Sequence, residues 1–299
     1  MSRVLTTMPA ATLALALLTG CGAETAPSAA PASGKTSPTT DPHGKRRQME
    51  AMRADCMKQK GFKYIPNVPA PPKTVSEERR LELAGDYPAM LKYREKHGFG
   101  VYFALAYPDD PEEGIPDPIS DPNMELAQSL SKTQYNARNA ADNACYAAAF
   151  TALTGKKVSS MDDVSTQADT LYIKTKERLL DGDPQLVELA GDFGDCLKSK
   201  GYPVASLKPT AMTFNTWDIF EKERTAYLTK RTKSGEAQTF EAMRMSPDEA
   251  RLHLPKEIKA SLDDLECGKD FYAAFLPRDG KLLEETLNEY GEKDGLLPY

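Results

Sequence analysis

Five cysteines are the residues best placed to do chemistry in this chain, and their surroundings narrow what that chemistry is. Cys56, Cys145, Cys196 and Cys267 lie far apart with no C-x-x-C pair, so neither a zinc knuckle nor a redox dithiol is spelled out. His43, His97 and His253 are nowhere near ligand spacing, and no metal or cofactor is expected. Adjacent acids occur at Asp109/Asp110, Glu112/Glu113, Asp162/Asp163, Asp263/Asp264 and Glu284/Glu285. Carboxylates facing each other across a groove could hydrolyse a glycosidic bond. In a chain with 44 acidic residues and a net charge of −6, the same pairs read as solvated surface or helix starts, and no catalytic residue is assigned. The G-x-S-x-G elbow and phosphate-cradling glycine loops are absent. The acidic balance, without any basic stripe interleaved with aromatics, excludes nucleic acid as a partner. Lys45-Arg46-Arg47 opens a predicted helix and reads as a solvated face.

The fifth cysteine, Cys21, has a different setting. Arg3 gives a short positive lead, Ala10 to Leu18 form an apolar run broken only by Thr12, and Leu18-Thr19-Gly20-Cys21 closes it. The run is too short to span a bilayer, and small residues just ahead of the cysteine let a peptidase reach the backbone. Residues 1–20 therefore read as a signal peptide ending in a lipobox. Similarity to bacterial lipoprotein precursors implies diacylglycerol on the Cys21 sulfur and acyl chains of the palmitate kind, holding the protein on the extracytoplasmic face of the cell membrane. Residues 21–44 read as a tether. Between Gly22 and Gly44, apart from Glu24, Lys35, Asp41 and His43, everything is Ala, Pro, Ser, Thr or Gly. Such a segment cannot form a core and would span about 25–30 Å as a coil.

Beyond the tether the cysteines sit in a repeated pattern. Asp55-Cys56-Met57-Lys58-Gln59-Lys60-Gly61-Phe62 recurs as Asp195-Cys196-Leu197-Lys198-Ser199-Lys200-Gly201-Tyr202. Later in each half an acid precedes a cysteine by three residues, Asp142 before Cys145 and Asp264 before Cys267. The repeat points to an internal duplication, with a helical unit at 45–157, a connecting helix at 158–182 and a second unit at 183–299. Both early motifs fit a last helical turn closed by glycine, with the paired lysines as cap and dipole residues. Both late motifs lie on helices opened by capping boxes, Ser131 with Gln134 and Ser246 with Glu249. Tyr135, Arg138, Ala141, Cys145, Ala148 and Ala152 recur at helical spacing, which predicts a buried stripe with Arg138 at its margin. Further helices are predicted at 75–97, 161–180, 184–200, 216–232 and 281–291, with proline-dense loops at 66–72 and 108–122 and at most a short strand near 98–106.

Four cysteines in an oxidising compartment predict two disulfides. Three pairings are open, and the duplication favours Cys56 with Cys145 and Cys196 with Cys267. The expected fold is mainly α, two related helical units each stapled once. Tyr93, Phe99, Tyr102, Phe103 and Tyr107 gather around Gly98 and Gly100, where they could floor a groove, although core packing is the weightier reading. Trp217 reads as an anchor between the units.

The whole pattern resembles a group of uncharacterised secreted lipoproteins of high-GC Gram-positive, actinobacterial bacteria. Its marks are a helix ending in a cysteine and a glycine-aromatic cap (Cys56 to Phe62), a glycine-aromatic stretch (Gly98 to Val101) and a last helix with the partner cysteine (Asp142 to Cys145). The cysteine motifs repeat at 195 and 264, whereas Gly98 to Val101 has no counterpart. The group has no established activity, so the resemblance implies location and fold alone. The expectation is a non-enzymatic binding protein of the cell envelope, its partner an envelope protein or the cell wall. A wall-directed hydrolase using paired carboxylates and a small-ligand binder between the units are the alternatives.

Overall fold

The computed structural model describes residues 44–68, 75–110, 121–234 and 245–297. Cys21, the leader, the tether up to His43 and the acid pair Glu112/Glu113 lie outside the described residues. Among the described residues the chain is helical, with no strand. The elements are α1 Gly44–Gln59, α2 Glu77–Leu83, α3 Tyr87–His97, α4 Phe103–Ala106, α5 Pro122–Gln128 and α6 Lys132–Thr154. There follow α7 Met161–Leu180, α8 Pro184–Ser199, α9 Pro209–Met212, α10 Trp217–Ser234 and α11 Pro247–Glu289, then a 3-10 turn at Glu292–Asp294.

Local chemistry sets most of these limits. Both capping boxes form: Ser131 and Gln134 exchange backbone and side-chain bonds of 3.4 and 3.1 Å, and Ser246 and Glu249 do so at 3.3 and 2.9 Å. Asp183 caps α8 through the Leu186 amide, with Pro184 in the first turn. The two similar cysteine motifs end α1 and α8 alike. Gly61 and Gly201 take φ of 81° and 87°, and the next amides, Phe62 and Tyr202, donate back to the carbonyls of Met57 and Leu197 at 2.9 and 3.0 Å. That is the left-handed cap the glycines were placed to supply.

Two predicted boundaries move. The helix expected at 75–97 is two helices, because the chain turns at Gly85 with φ of 82° and passes so close to α11 that a Cβ there would sit 2.5 Å from the Tyr272 carbonyl oxygen. The helix expected at 281–291 is the end of α11, which runs unbroken from the Ser246 cap through Pro255 and Pro277. Each proline removes one helical hydrogen bond, at a cost of about 3 kcal/mol in a helix interior. Burial of Leu254, Leu265, Phe271, Tyr272 and Phe275 along the same helix offsets this, at about 1.5–3 kcal/mol per large apolar side chain. The short strand expected near 98–106 is a glycine turn followed by α4.

At 43 residues, α11 is about 65 Å long and forms the spine of the body. Its first turns, with Ala250, Leu254 and Ala260, pack with Tyr102, Phe103 and Phe220, and Trp217 borders that cluster. Its middle packs Leu265, Phe271 and Phe275 with Phe193, Leu186 and Leu197 of α8 and Met90 of α3. Beyond its end, Tyr290 and Leu296 join Met49 of α1, Tyr146 and Phe150 of α6 and Val164 of α7. Of the basic run, Lys45 and Arg47 are exposed as expected, and Arg46 is the exception. Arg46 is buried and donates to the carbonyls of Gly295 and Leu297 at 3.3 and 3.1 Å, while Lys45 meets Asp294 at 2.7 Å. The beginning of α1 and the C-terminal turn are thereby clasped together.

Two disulfides join Cys56 to Cys145 and Cys196 to Cys267, with Cα separations of 5.6 and 5.5 Å. Each ties the last turn of one helix to a later helix, α1 to α6 and α8 to α11.

Candidate functional site: a groove above a buried carboxylate

The glycine-aromatic stretch is built around one acid from the other half of the chain. Gly98 and Gly100 have φ of 64° and 87°, conformations that turn three backbone amides toward a single point. Glu257 of α11 occupies it. Its Oε1 accepts from Phe99 and Val101, both at 2.8 Å, and its Oε2 from Tyr102 at 3.0 Å. The side chain is fully buried. Desolvation raises the carboxyl pKa, and the amide donors pull it back. A Cβ on Gly98 would stand 3.0 Å from the Glu257 side chain, so glycine is needed there for space as well as for φ.

This clamp fixes the start of α4 and so the edge of a surface groove of about 540 Å³ between the α3–α4 region and α11. Lys96, Phe103, Tyr107 and Asp110 form one wall, and Arg251, Leu254 and Ile258 the other. Pro255 leaves the Arg251 carbonyl without its helical donor at this level. Lys96 lies over Phe103 at 5.3 Å and Arg251 over Tyr107 at 5.4 Å. Both cations are also paired, Lys96 with Asp110 at 3.3 Å and Arg251 with Asp248 at 2.6 Å. Exposed ion pairs of this kind contribute little and exchange readily for a ligand's charge. The groove offers aromatic and aliphatic surface with movable charges at its rim. Glu257 is not part of its lining; both oxygens of that side chain face the loop amides.

Of the five aromatic residues singled out, Tyr102 and Phe103 are core, Phe99 borders the same cluster, and Tyr93 stacks beside His97 at 4.3 Å. Only Tyr107, at 44% exposure, opens onto the surface. His97 and His253 do not share a site: His97 meets the Tyr93 carbonyl at 3.0 Å, and His253 stacks on Tyr102 at 4.9 Å. Among the described residues no cluster of His, Cys, Asp and Glu could hold a metal.

The acid pairs separate into individual tasks. Asp163 accepts from the Ser159 amide at 2.7 Å at the start of α7, which lowers its pKa. Asp263 and Asp264 face different ways. Asp263 takes hydrogen bonds from Lys259, Tyr202 and Lys200, whereas Asp264 is buried against Arg94 and Tyr272, both at 2.7 Å. Glu284 and Glu285 lie exposed on α11.

The reading of residue types missed two buried ionic networks. In the first, Arg53 binds Asp142 through two bonds of 2.6 and 2.8 Å, and Glu50 accepts from the Tyr64 hydroxyl at 2.7 Å and the Asn67 amide at 3.1 Å. In the second, Arg94 reaches from α3 to Asp264 and the Ser261 carbonyl on α11. Burial pushes the phenols of Tyr64 and Tyr272 well above their ordinary pKa. The acid three residues before each late cysteine was the visible trace of both networks. Glu257 had no local trace, because its partners lie more than 150 residues away.

No family model matches the chain, and neither the curated proteins nor the solved structures contain a match.

Proposed function

We propose that this chain is a lipid-anchored lipoprotein on the extracytoplasmic face of the cell membrane, similar to secreted actinobacterial lipoproteins, with a disulfide-stapled helical body that binds an envelope component. The observation that carries the location is Leu18-Thr19-Gly20-Cys21 at the end of a short apolar run, followed by a proline- and alanine-rich tether. Two disulfides support it, since such staples persist where thiols are not kept reduced. Among the described residues no helix is long and apolar enough to cross a membrane. Two acyl chains at about 0.8 kcal/mol per buried methylene hold where one would let go.

Binding is favoured over catalysis because the most deeply buried shifted acid, Glu257, spends both oxygens on backbone amides. A second reading, small-ligand binding between the two parts of the chain, draws on the groove, whose walls come from residues 96–110 and 251–258. The two stapled helix pairs are taken as products of one internal duplication.

Replacing Cys21 with Ala tests the anchor. Wild-type protein sediments with membranes and is released by detergent, and Cys21→Ala leaves the membrane fraction. Equal membrane retention of the variant contradicts the proposal.

A further inference from the structure

Among the described residues the buried charged side chains are matched, with one exception. Arg46 has carbonyls, Arg53 and Arg94 have aspartates, Lys176 has Asp279 and Tyr172, and Glu257 has amides. Arg138 on α6 is as buried as these, at 7% exposure, yet its Nε and Nη2 have no hydrogen-bond partner among the described residues. A guanidinium cannot escape the cost of burial by losing its proton. An unmatched one leaves several kcal/mol of desolvation uncompensated.

The surroundings add to the imbalance. Asp142, one turn along the same face, is the natural intrahelical partner, but Arg53 occupies both of its oxygens. The first turn of α6 carries no acid and its cap is the neutral Ser131, so no anion at the start of the helix offsets the charge of Arg138. The two unmatched atoms, moreover, form one edge of the guanidinium. Arg53 uses that very edge, Nε and Nη2, to grip both oxygens of Asp142 at 2.6 and 2.8 Å. Two parallel donors on one edge are the complement of a carboxylate or a phosphoryl group.

We propose that Arg138 is an anion-binding residue whose Nε/Nη2 edge receives one carboxylate or phosphoryl group from a ligand of the body. This deepens the binding reading of the function by naming the ligand's charged group, and it is independent of the lipid anchor. The test uses the purified mature protein at constant ionic strength, titrated with sodium acetate or sodium phosphate against chloride. The Nε–H signal of Arg138 shifts saturably in nitrogen-15 NMR, and the thermal midpoint rises by about 3 °C at tenfold excess over Kd. Arg138→Met has a higher midpoint than wild type without added anion and no response to it. Response to acetate alone marks a carboxylate ligand and response to phosphate alone a phosphoryl one, either supporting the site. Silence of the wild-type Nε–H signal to both anions overturns the proposal, as does an equal midpoint response in Arg138→Met. If the Met variant does not fold, the wild-type NMR titration alone decides. Loss of membrane attachment in Cys21→Ala leaves this test untouched, so the two proposals fail separately.

Discussion

The α1/α6 and α8/α11 pairs share a staple and a cap but are filled differently. In both, a cysteine in the last turn, a glycine in the left-handed conformation and a following aromatic residue close the first helix, and an acid three residues before the second cysteine faces inward. In the first pair the position three residues before Cys56 is Arg53, and it neutralises Asp142 directly. In the second pair that position is Phe193, which packs on Phe271 at 5.5 Å. Asp264 therefore takes its cation from elsewhere, from Arg94 on α3. A repeated motif thus dictates the covalent and capping geometry, while the charge it buries can be answered from any element that reaches it. The second solution has a structural consequence, since it ties α3 to the spine helix.

The largest expected effect on this comparison is loss of a staple. The bridged cysteines are 89 and 71 residues apart, and loop-closure entropy gives about 4.5 kcal/mol for either. Urea denaturation of Cys56→Ser/Cys145→Ser and of Cys196→Ser/Cys267→Ser should show similar losses. A difference above about 2 kcal/mol would mean that the two staples constrain unlike units.

Next come the acids. Asp264→Ala strands Arg94 in a site where the pair is 1% and 9% exposed, and about 4 kcal/mol should be lost. Asp142→Ala should cost less, about 2 kcal/mol, because that side chain is 15% exposed and Glu50 remains beside Arg53. Replacing the second pair apolar for ionic, Arg94→Met with Asp264→Leu, should recover most of the single-variant loss. Equal losses for the two single variants would remove the distinction between the local and the borrowed cation.

The smallest effect separates the caps by pH. Desolvation would raise the Asp263 pKa, but hydrogen bonds from Lys259, Tyr202 and Lys200 outweigh it and hold the carboxyl at about 2. A folded pKa below the unfolded one means stability present above about 4 and lost as pH falls toward 2. Phe62, at the position of Tyr202, has no hydroxyl to make such a link. Hydrogen exchange between pH 4 and pH 2.5, corrected for intrinsic rates, should lose more protection at the Tyr202 amide than at the Phe62 amide. Parallel loss at both would assign the acid sensitivity to the whole body.

What the residues disclosed in advance was local. Capping boxes, glycine caps and cysteine-bearing helix ends depend on neighbours within a few positions, so Ser131, Ser246, Gly61 and Gly201 were legible, while the cysteine pairing was legible only through the repeat of the motif. The continuity of α11 was not, because Pro255 and Pro277 carry a local signal for termination that tertiary burial overrides. The break at Gly85 is marked locally as well, by the Asp86 amide bonding back to the Leu81 carbonyl and the Asp86 side chain capping Ala89 beside Pro88. Glu257 carries no signal from its sequence neighbours, and the stripe expected on α6 is only partly buried: Arg138, Ala141 and Cys145 face inward, whereas Tyr135, Ala148 and Ala152 are exposed.

Location remains the centre of the account, and the most direct measurement is the mass of the N-terminal peptide of protein isolated from its native membrane. The account predicts a chain beginning at Cys21 whose sulfur carries a diacylglycerol group. A chain that begins elsewhere, or a bare thiol at position 21, contradicts it.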